Sequence, residues 1–216
     1  MTLHFVNLLD ELLRRSLRMA GLVEDIVHEA CDAVFAADDR LARRVITRDR
    51  EVDAEEVEVE AEVIRLLALY QPVGSDLRLL CTILKVNSDL ERIADCAVNI
   101  SERACHLDAA AVSTAGERIR QMNTIVSRML RAAVHAYGAQ EAEQAQRVFA
   151  DEEMVDALYG QVMQQMVGAS PAMGTAALLD ILSVAKNLER IADHVTNIAE
   201  DLVFLSTGDI VRHRPR

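Results

Sequence analysis

The sequence predicts an all-α protein in which a three-helix unit occurs twice. Ala, Leu, Glu, Arg and Met dominate, and these are strong helix formers, while three prolines and eight glycines in 216 residues leave few turns for a sheet. Apolar residues recur at three- and four-residue steps along most of the chain. The thirteen residues from Leu90 to Glu102 return at Leu188 to Glu200 with nine identities, which indicates an internal duplication.

Three amphipathic helices are predicted in the first unit. The first ends near Asp38, and the second runs from about Asp39 to Tyr70. Residues 71–76 break the pattern with Pro and Gly, and Ser75 or Asp76 is the expected N-cap of the third helix, which continues past Ile100.

The second unit is predicted to repeat this plan. Residues 108–116 are small and are expected to form a connector. A fourth helix is predicted from about Glu117 to Tyr137, with Gly138 as its stop. A fifth is predicted from about Glu141 to Val167, ended by Gly168-Ala169-Ser170-Pro171. Ser170 as N-cap and Pro171 in the first helical position open a sixth, which continues to Gly208.

Two shifts relate the units. The first two helices of each unit align at a shift of 103 residues and the third helices at a shift of 98. We therefore divide the chain into a first repeat at residues 1–110 and a second at residues 111–216.

The formal net charge of −12 argues against nucleic-acid binding, which requires a basic face, and suits metal cations or a basic partner. The N-terminus shows no apolar signal core, and no run approaches the roughly 20 apolar residues of a membrane span. Without paired CxxC spacing, the four cysteines are expected to be reduced thiols. A cytoplasmic protein is expected.

Carboxylate pairs four residues apart fall at equivalent places in both repeats. The shift of 103 relates the pairs on the second and fifth helices, and the shift of 98 relates those on the third and sixth. The pairs are Asp49 with Asp53, Glu91 with Asp95, Glu152 with Asp156, and Glu189 with Asp193. None of the four helices lacks a pair, and this regularity is more informative than the spacing alone.

The position of these pairs around the helices favours a metal site. Glu91 and Asp95 lie opposite the apolar face, as in any amphipathic helix, but Asp49 and Asp53 border it. Two carboxylates about 4 Å apart repel by roughly 1 kcal/mol in water and about 4 at an intermediate dielectric, and a bound cation reverses that repulsion. The alternative is a set of solvated acids. Four further polar residues continue the same face and are weaker candidates: Asn99, Glu102, Asn197 and Glu200.

Oxygen-only ligands suit hard cations such as Mg, Ca, Mn or ferric iron. Zinc also binds carboxylates, but its usual Cys and His ligands are missing from the pattern. His194 follows Asp193 directly, yet its counterpart in the first repeat is Cys96, so we expect a neighbour of the site and not a ligand. His28 has no acid-rich counterpart and is expected to be an ordinary helix residue.

The paired Leu-Glu-Arg-Ile-Ala-Asp…Asn-Ile…Glu stretches resemble the PhoU family, as do Gln71-Pro72…Asp76-Leu77-Arg78 and the ending from Thr207 to His213. The resemblance covers nearly the whole chain and implies two tandem three-helix bundles that bind metal clusters, iron or zinc being the usual examples. It places Asp49, Asp53, Glu91 and Asp95 in one site. It places Glu152, Asp156, Glu189 and Asp193 in the other.

The same resemblance implies regulation without catalytic turnover. PhoU-like proteins are cytoplasmic and often homodimeric. They repress the phosphate-starvation response by linking the ATPase subunit of the phosphate ABC transporter to a sensor histidine kinase. On this basis the chain is expected to be a regulator and not an enzyme, and to reach the membrane only through its partners.

Two other classes of helical bundle fit the sequence poorly, and two further roles remain open. A ferritin-like di-iron enzyme needs Glu-x-x-His motifs, and no His in the chain has Glu three residues before it. A phosphotransfer bundle needs one specially placed His, and none of the six is set apart. A structural helical adaptor with solvated acids remains open, as does an accessory protein of a different phosphate transporter.

Overall fold

The computed structural model describes residues 3–107, 109–169 and 174–211. Six α-helices form this part of the chain, and the predicted fold class of two tandem three-helix bundles is confirmed. The helices are α1 (Leu3–Ala36), α2 (Asp39–Tyr70), α3 (Ser75–Ala104), α4 (Ala109–Ala139), α5 (Ala142–Ala169) and α6 (Thr175–Thr207).

The ends of α2 agree with the sequence prediction because both carry clear signals. Asp38 Oδ1 accepts hydrogen bonds from the backbone N–H groups of Arg40, at 2.9 Å, and Leu41, at 3.1 Å. At the other end Gln71 is left-handed, with φ 45°, and its N–H donates to the carbonyl of Leu67 at 3.2 Å. The acid pair on α2 is thus carried by a helix with fixed ends.

The predicted connector is wrong. Residues 109–116 form the first two turns of α4, and only residue 108 of the expected connector lies outside the described part of the chain. Four of these eight residues are Ala, the strongest helix former. Gly116 costs a helix only about 1 kcal/mol relative to Ala, which is too little to end it. The predicted repeat boundary between residues 110 and 111 falls in the first turn of α4.

The expected N-cap of α3 is also wrong. The helix begins at Ser75 itself, and Gly74 occupies the cap position with φ 62° and no side-chain cap hydrogen bond. Such a backbone angle is open to glycine at little cost, so Gly74 and not a polar side chain makes the turn into α3.

The helix stop expected at Gly138 is passed by one residue, as α4 ends at Ala139, and α5 ends at Ala169, within the break expected at residues 168–171. The predicted cap of α6, Ser170 with Pro171, lies outside the described residues. The helix itself begins at Thr175, after Gly174.

Equivalent apolar residues of α2 and α5 form the cores of the two bundles. Every seventh residue of α2 from Val45 to Val59 is fully buried, and the shift of 103 finds its buried counterpart on α5. These residues are Val45, Val52 and Val59 on α2, and Val148, Val155 and Val162 on α5. Each such side chain contributes about 1.5 to 3 kcal/mol on burial, which presses α2 onto α1 and α3, and α5 onto α4 and α6.

The two bundles pack side by side, α1 against α4 and α3 against α6, while within the described residues α2 and α5 contact only helices of their own bundle. Helices α3 and α6 run antiparallel. Lys85, in the first half of α3, lies 3.0 Å from Asp201, near the end of α6. Arg103, at the end of α3, lies 3.5 Å from Asp180, near the start of α6.

Buried polar contacts tie the bundles together between these ion pairs. Asp89 on α3 accepts a hydrogen bond of 3.2 Å from Asn197 Nδ2 on α6, and His194 Nδ1 lies 2.9 Å from the same carboxylate oxygen. Between α1 and α4, the buried Tyr137 hydroxyl lies 2.9 Å from the Ser16 hydroxyl. These contacts fix the register of the two bundles.

Over the residues described, none of the helices is long and apolar enough to cross a membrane. All four cysteines are free thiols, as predicted, and burial raises the pKa of Cys31 to about 12 and that of Cys96 to about 11. Protonated and largely enclosed, these two thiols are structural.

Candidate metal centres

The α2 and α3 helices bring the four predicted acids of the first repeat together. We call Asp49, Asp53, Glu91 and Asp95 the first acidic cluster. Asp49 and Glu91 are partly buried, while Asp53 and Asp95 are exposed. Burial, followed by the charges of Asp53 and Asp95, raises the pKa of Asp49 to about 6, so acids on two helices act on one carboxylate.

Asp49 is the strained member of this cluster. Its Oδ1 atom is buried and has no hydrogen-bond partner among the described residues. A buried carboxylate oxygen without a donor is costly, because its lost hydration is not replaced. Burial, followed by the charge of Asp95, likewise raises the pKa of Glu91. The charge of Arg92 opposes this effect at Glu91, whereas the charges that act on Asp49 are those of Asp53 and Asp95.

A fifth acid, Glu56, belongs to the same region and was missed from the sequence. Its pKa is raised by burial and then by the charges of Glu60, Asp53 and Asp95. The repeat pattern does not indicate Glu56 as a site residue, since its equivalent in the second repeat is Tyr159. Its position three residues after Asp53, on the same helix face, was the available signal.

The second acidic cluster consists of Glu152, Asp156, Glu189 and Asp193, on α5 and α6. Carboxylate oxygens of Asp156, Glu189 and Asp193 all lie within 4.8 Å of one another, so three of the four predicted ligands converge on one point. Burial, followed by the charges of Glu189, Asp156 and Glu152, raises the pKa of Asp193 to about 6. Glu152 thus also acts on this point.

The second cluster also contains a lysine that the sequence reasoning did not consider. Lys186 Nζ donates to both oxygens of Glu189, at 2.7 and 2.6 Å, and lies 5.4 Å from the centroid of the Tyr159 ring. The three-residue spacing from Lys186 to Glu189 on one helix was the signal that could have found it.

Among the described residues, three carboxylate oxygens converge only in the second cluster, an arrangement that suits a hard cation. The first cluster likewise draws its acids from two neighbouring helices. The family model described as the PhoU domain matches residues 16–104 and again residues 119–202. The chain belongs to the PhoU family.

Relatives agree over nearly the full length. The chain is 36% identical over 205 residues to the phosphate-specific transport system accessory protein PhoU homolog of Caulobacter vibrioides, covering 92% of this chain and 88% of the relative. The corresponding Pseudomonas aeruginosa protein is 34% identical, with 95% and 86% covered.

Solved structures show the same architecture. A PhoU regulatory protein of the phosphate transport system from Streptococcus pneumoniae superposes with a TM-score of 0.90 at 29% identity, covering 96% of this chain and 99% of that one. PhoU from P. aeruginosa gives 0.86 at 32% identity, with 95% and 100% covered.

The four weaker candidates, which follow the acid pairs on α3 and α6, differ in their contacts. Asn99 Nδ2 donates to the backbone carbonyl of Asp95 at 2.9 Å, and Glu102 lies 3.4 Å from Arg103. Asn197 is instead held in the α3–α6 interface by Asp89. Glu200 is partly buried on α6. Asn197 is therefore placed away from the second cluster, although its sequence position matched the pattern.

His194 occupies the same interface. Its Nδ1 atom contacts Asp89, across the α3–α6 boundary, and not the adjacent Asp193. This agrees with the prediction that His194 is a neighbour of the site. His28 lies on α1, 3.4 Å from Asp32, far along the chain from either acidic cluster.

Proposed function

We propose that this chain is an accessory and regulatory protein of phosphate transport that restrains phosphate uptake and represses the phosphate-starvation response. One observation supports this most directly: relatives named as phosphate-specific transport system accessory proteins align over more than nine-tenths of the chain. The proposed role is binding and signalling, without catalytic turnover.

The proposed partners are the ATPase subunit of the phosphate ABC transporter and a sensor histidine kinase, which the protein would couple in the cytoplasm. The net charge of −12 favours basic surfaces on such partners. The α3–α6 interface joins the two bundles and leaves two outer helix pairs, α2–α3 and α5–α6. Two such surfaces suit a protein that must contact two partners.

The acidic clusters are proposed to hold metal ions. The residues fit this role, because their donors are all carboxylate oxygens and because Asp49 Oδ1 is buried without a hydrogen-bond partner among the described residues. Asp49, Asp53, Glu91 and Asp95 would hold one site, and Glu152, Asp156, Glu189 and Asp193 the other. Iron or zinc follows from the family resemblance, and Mg, Ca or Mn from the donor set.

A bound cation supplies positive charge between carboxylates that otherwise repel one another. The chain's own residues then cross-link α2 to α3 and α5 to α6, since each cluster draws acids from both helices. Metal binding would thereby stiffen the outer helix pairs. In this proposal the clusters regulate the shape of the surfaces that meet the partners.

A homodimer is proposed through an exposed apolar stripe on α2. Its residues recur at alternating three- and four-residue steps, away from the buried face: Ala54, Val57, Ala61, Ile64 and Ala68. Val57 is 62% exposed and Ile64 is 55% exposed. Two α2 helices packed antiparallel along this seam would place Glu58 of one copy near Arg65 of the other, twice by symmetry. Arg65 already pairs with Glu62 and Glu58 with Arg15 in the same chain, so the apolar stripe carries this proposal.

Deletion of the gene tests the regulatory role. A reporter of phosphate-starvation genes should switch on in phosphate-rich medium when the protein is missing, and a plasmid copy should silence it again. Unchanged reporter output in phosphate-rich medium would refute the role as a repressor.

Co-purification tests the partners. Capture of the full chain from cells should retain the transporter ATPase and the sensor kinase. Capture of a different phosphate transporter would instead support the alternative accessory role. A chain that retains neither kind of partner but folds and binds no metal would support the structural adaptor.

A further inference from the structure

The two acidic clusters differ in one built-in charge. In the second cluster the Lys186 ammonium occupies both oxygens of Glu189, at 2.7 and 2.6 Å, and lies over the face of the Tyr159 ring. Lys186 is one of only two lysines in the chain. A compact ammonium of this kind is a small cation on a flexible tether, and it can leave the carboxylate by rotating its stem.

The first cluster has neither the lysine nor the tyrosine at the equivalent positions. The shift of 98 maps Lys186 onto Ser88, and the shift of 103 maps Tyr159 onto Glu56. The first cluster thus gains a fifth carboxylate and lacks an ammonium. Arg92 and Arg190 follow the repeated Glu in both units, and the charge of Arg92 opposes those of the acids around Glu91 and Glu56.

The surroundings of the acids show the same difference. Lys186 opposes the acid charges around both Asp156 and Asp193 in the second cluster. In the first cluster the charges that raise the pKa of Asp49 are those of Asp53 and Asp95, while the charge of Arg92 opposes those of the acids around Glu91. Three carboxylates converge in the second cluster beside a cation that is already present, whereas the buried oxygen of Asp49 has no partner among the described residues.

We propose that Lys186 is an internal counterion that competes with metal for Glu189, so that the first cluster binds metal more tightly and fills first. This inference rests on the proposed metal binding. A metal ion entering the second cluster must displace the ammonium from Glu189 and then bear its repulsion at short range. In the first cluster the charge of Arg92 acts on Glu91, but among the described residues no cation forms an ion pair with Glu91 that a metal would have to break. The protein then has two sites of unequal affinity, and the second responds at higher metal concentration.

Titration of the metal-free full chain with Mn²⁺, with free Mn²⁺ followed by electron paramagnetic resonance, tests this order. The wild type should show two classes of site that differ by roughly tenfold or more in affinity. Asp95→Asn should remove the tight class and Asp193→Asn the weak class, which assigns each class to a cluster.

Reciprocal substitutions make the test sharp. Lys186→Met, which keeps the apolar stem, should tighten the weak class by roughly tenfold, and Ser88→Lys should weaken the tight class to a similar degree. Arg14→Ser removes the same charge from an exposed ion pair on α1 and should change neither class. Circular dichroism checks that each variant folds.

Two results would contradict the inference in distinguishable ways. If two sites bind Mn²⁺ equally, or if Lys186→Met leaves the weak class unmoved, the counterion role is wrong and metal binding stands. If no variant and no wild-type protein binds Mn²⁺, zinc or iron, the proposed metal function fails and this inference fails with it.

Discussion

Lys85 on α3 donates a 3.0 Å hydrogen bond to the carboxylate of Asp201 on α6, a residue only 1% exposed. By the repeat shift of 98, the equivalent of Asp201 is Arg103, which itself contacts Asp180 on α6. Helix α3 therefore supplies the cation of both ion pairs and α6 the acid. Two copies of the first bundle packed in this way would place Lys85 against Arg103, so the charges select the pairing of unlike repeats.

Replacing Lys85 with Ala should destabilise the protein by about 3 kcal/mol, because the buried carboxylate of Asp201 loses this cation. Urea unfolding at pH 7 measures the effect. The double variant Lys85→Leu with Asp201→Leu should lose less than the single variant, since no buried charge remains. Arg14→Ala, at an exposed pair with Asp10, should cost under about 1 kcal/mol. An equal loss of stability in the Lys85 and Arg14 variants would contradict the larger contribution expected of the buried pair.

Removing the acids should remove the metal. Protein purified without added metal and carrying Asp95→Ala together with Asp193→Ala should contain less iron or zinc than the wild type by elemental analysis. Its melting temperature should also no longer respond to a chelator. A ligand present at about 100 times its dissociation constant stabilises a fold by about 2.7 kcal/mol, so the response of the wild type should be measurable. The matched control is Asp10→Ala, an acid on α1 outside both clusters. Unchanged metal content and melting temperature in the double variant would favour solvated acids.

Stability of the metal-free protein should depend on pH through Asp49 and Asp193. The pKa of each is raised from 3.8 to about 6 by folding. Between these values the folded chain holds protons that the unfolded chain has released, so these two groups make stability fall as pH rises from about 4 to 6. Their penalty becomes complete about one pH unit above the folded pKa, near pH 7.

Urea midpoints at pH 5 and pH 7 check this sign. Over that interval the wild type should lose stability relative to the variant Asp49→Asn with Asp193→Asn. The comparison isolates these two acids, because exposed pairs with lowered acid pKa values, such as Glu62 with Arg65, are common to both proteins. Metal binding should be tighter at pH 7 than at pH 5, since protons compete for the same oxygens. If the wild type instead gains stability relative to the variant between pH 5 and pH 7, these acids are not the source of the pH dependence.

Charge placed on the α2 stripe should prevent self-association. Val57→Glu with Ile64→Glu puts carboxylates into the proposed seam, and the chain should then elute as a monomer in light-scattering chromatography with its helical content intact. Met154→Glu, at an exposed position on α5, should leave the dimer unchanged. A wild-type chain that is already monomeric at high concentration would rule out the seam as a dimer interface.

Much of the fold was available from the sequence because its signals are local. The bounds of α2 follow from an Asp cap and a Gln-Pro end, and the duplication follows from nine identities in thirteen residues. The connector prediction is wrong because four of its residues are Ala, which favours helix, so small size alone does not indicate a loop. At α3, Ser75 and Asp76 have side chains typical of an N-cap, but Gly74, whose backbone angle makes the turn, occupies that position.

The sequence by itself determined the helical class, the two repeats and the four acid pairs, since helix periodicity and repeat shifts are properties of spacing. The family resemblance already divided these acids between two sites, but only the tertiary structure showed how close they lie, because α2–α3 and α5–α6 packing brings distant residues together. It also showed that Glu56 joins one cluster and Lys186 the other, and that Asn197 faces Asp89. Spacing along one helix fixes the side on which a residue lies, but its charge environment is set by neighbouring helices that spacing does not specify.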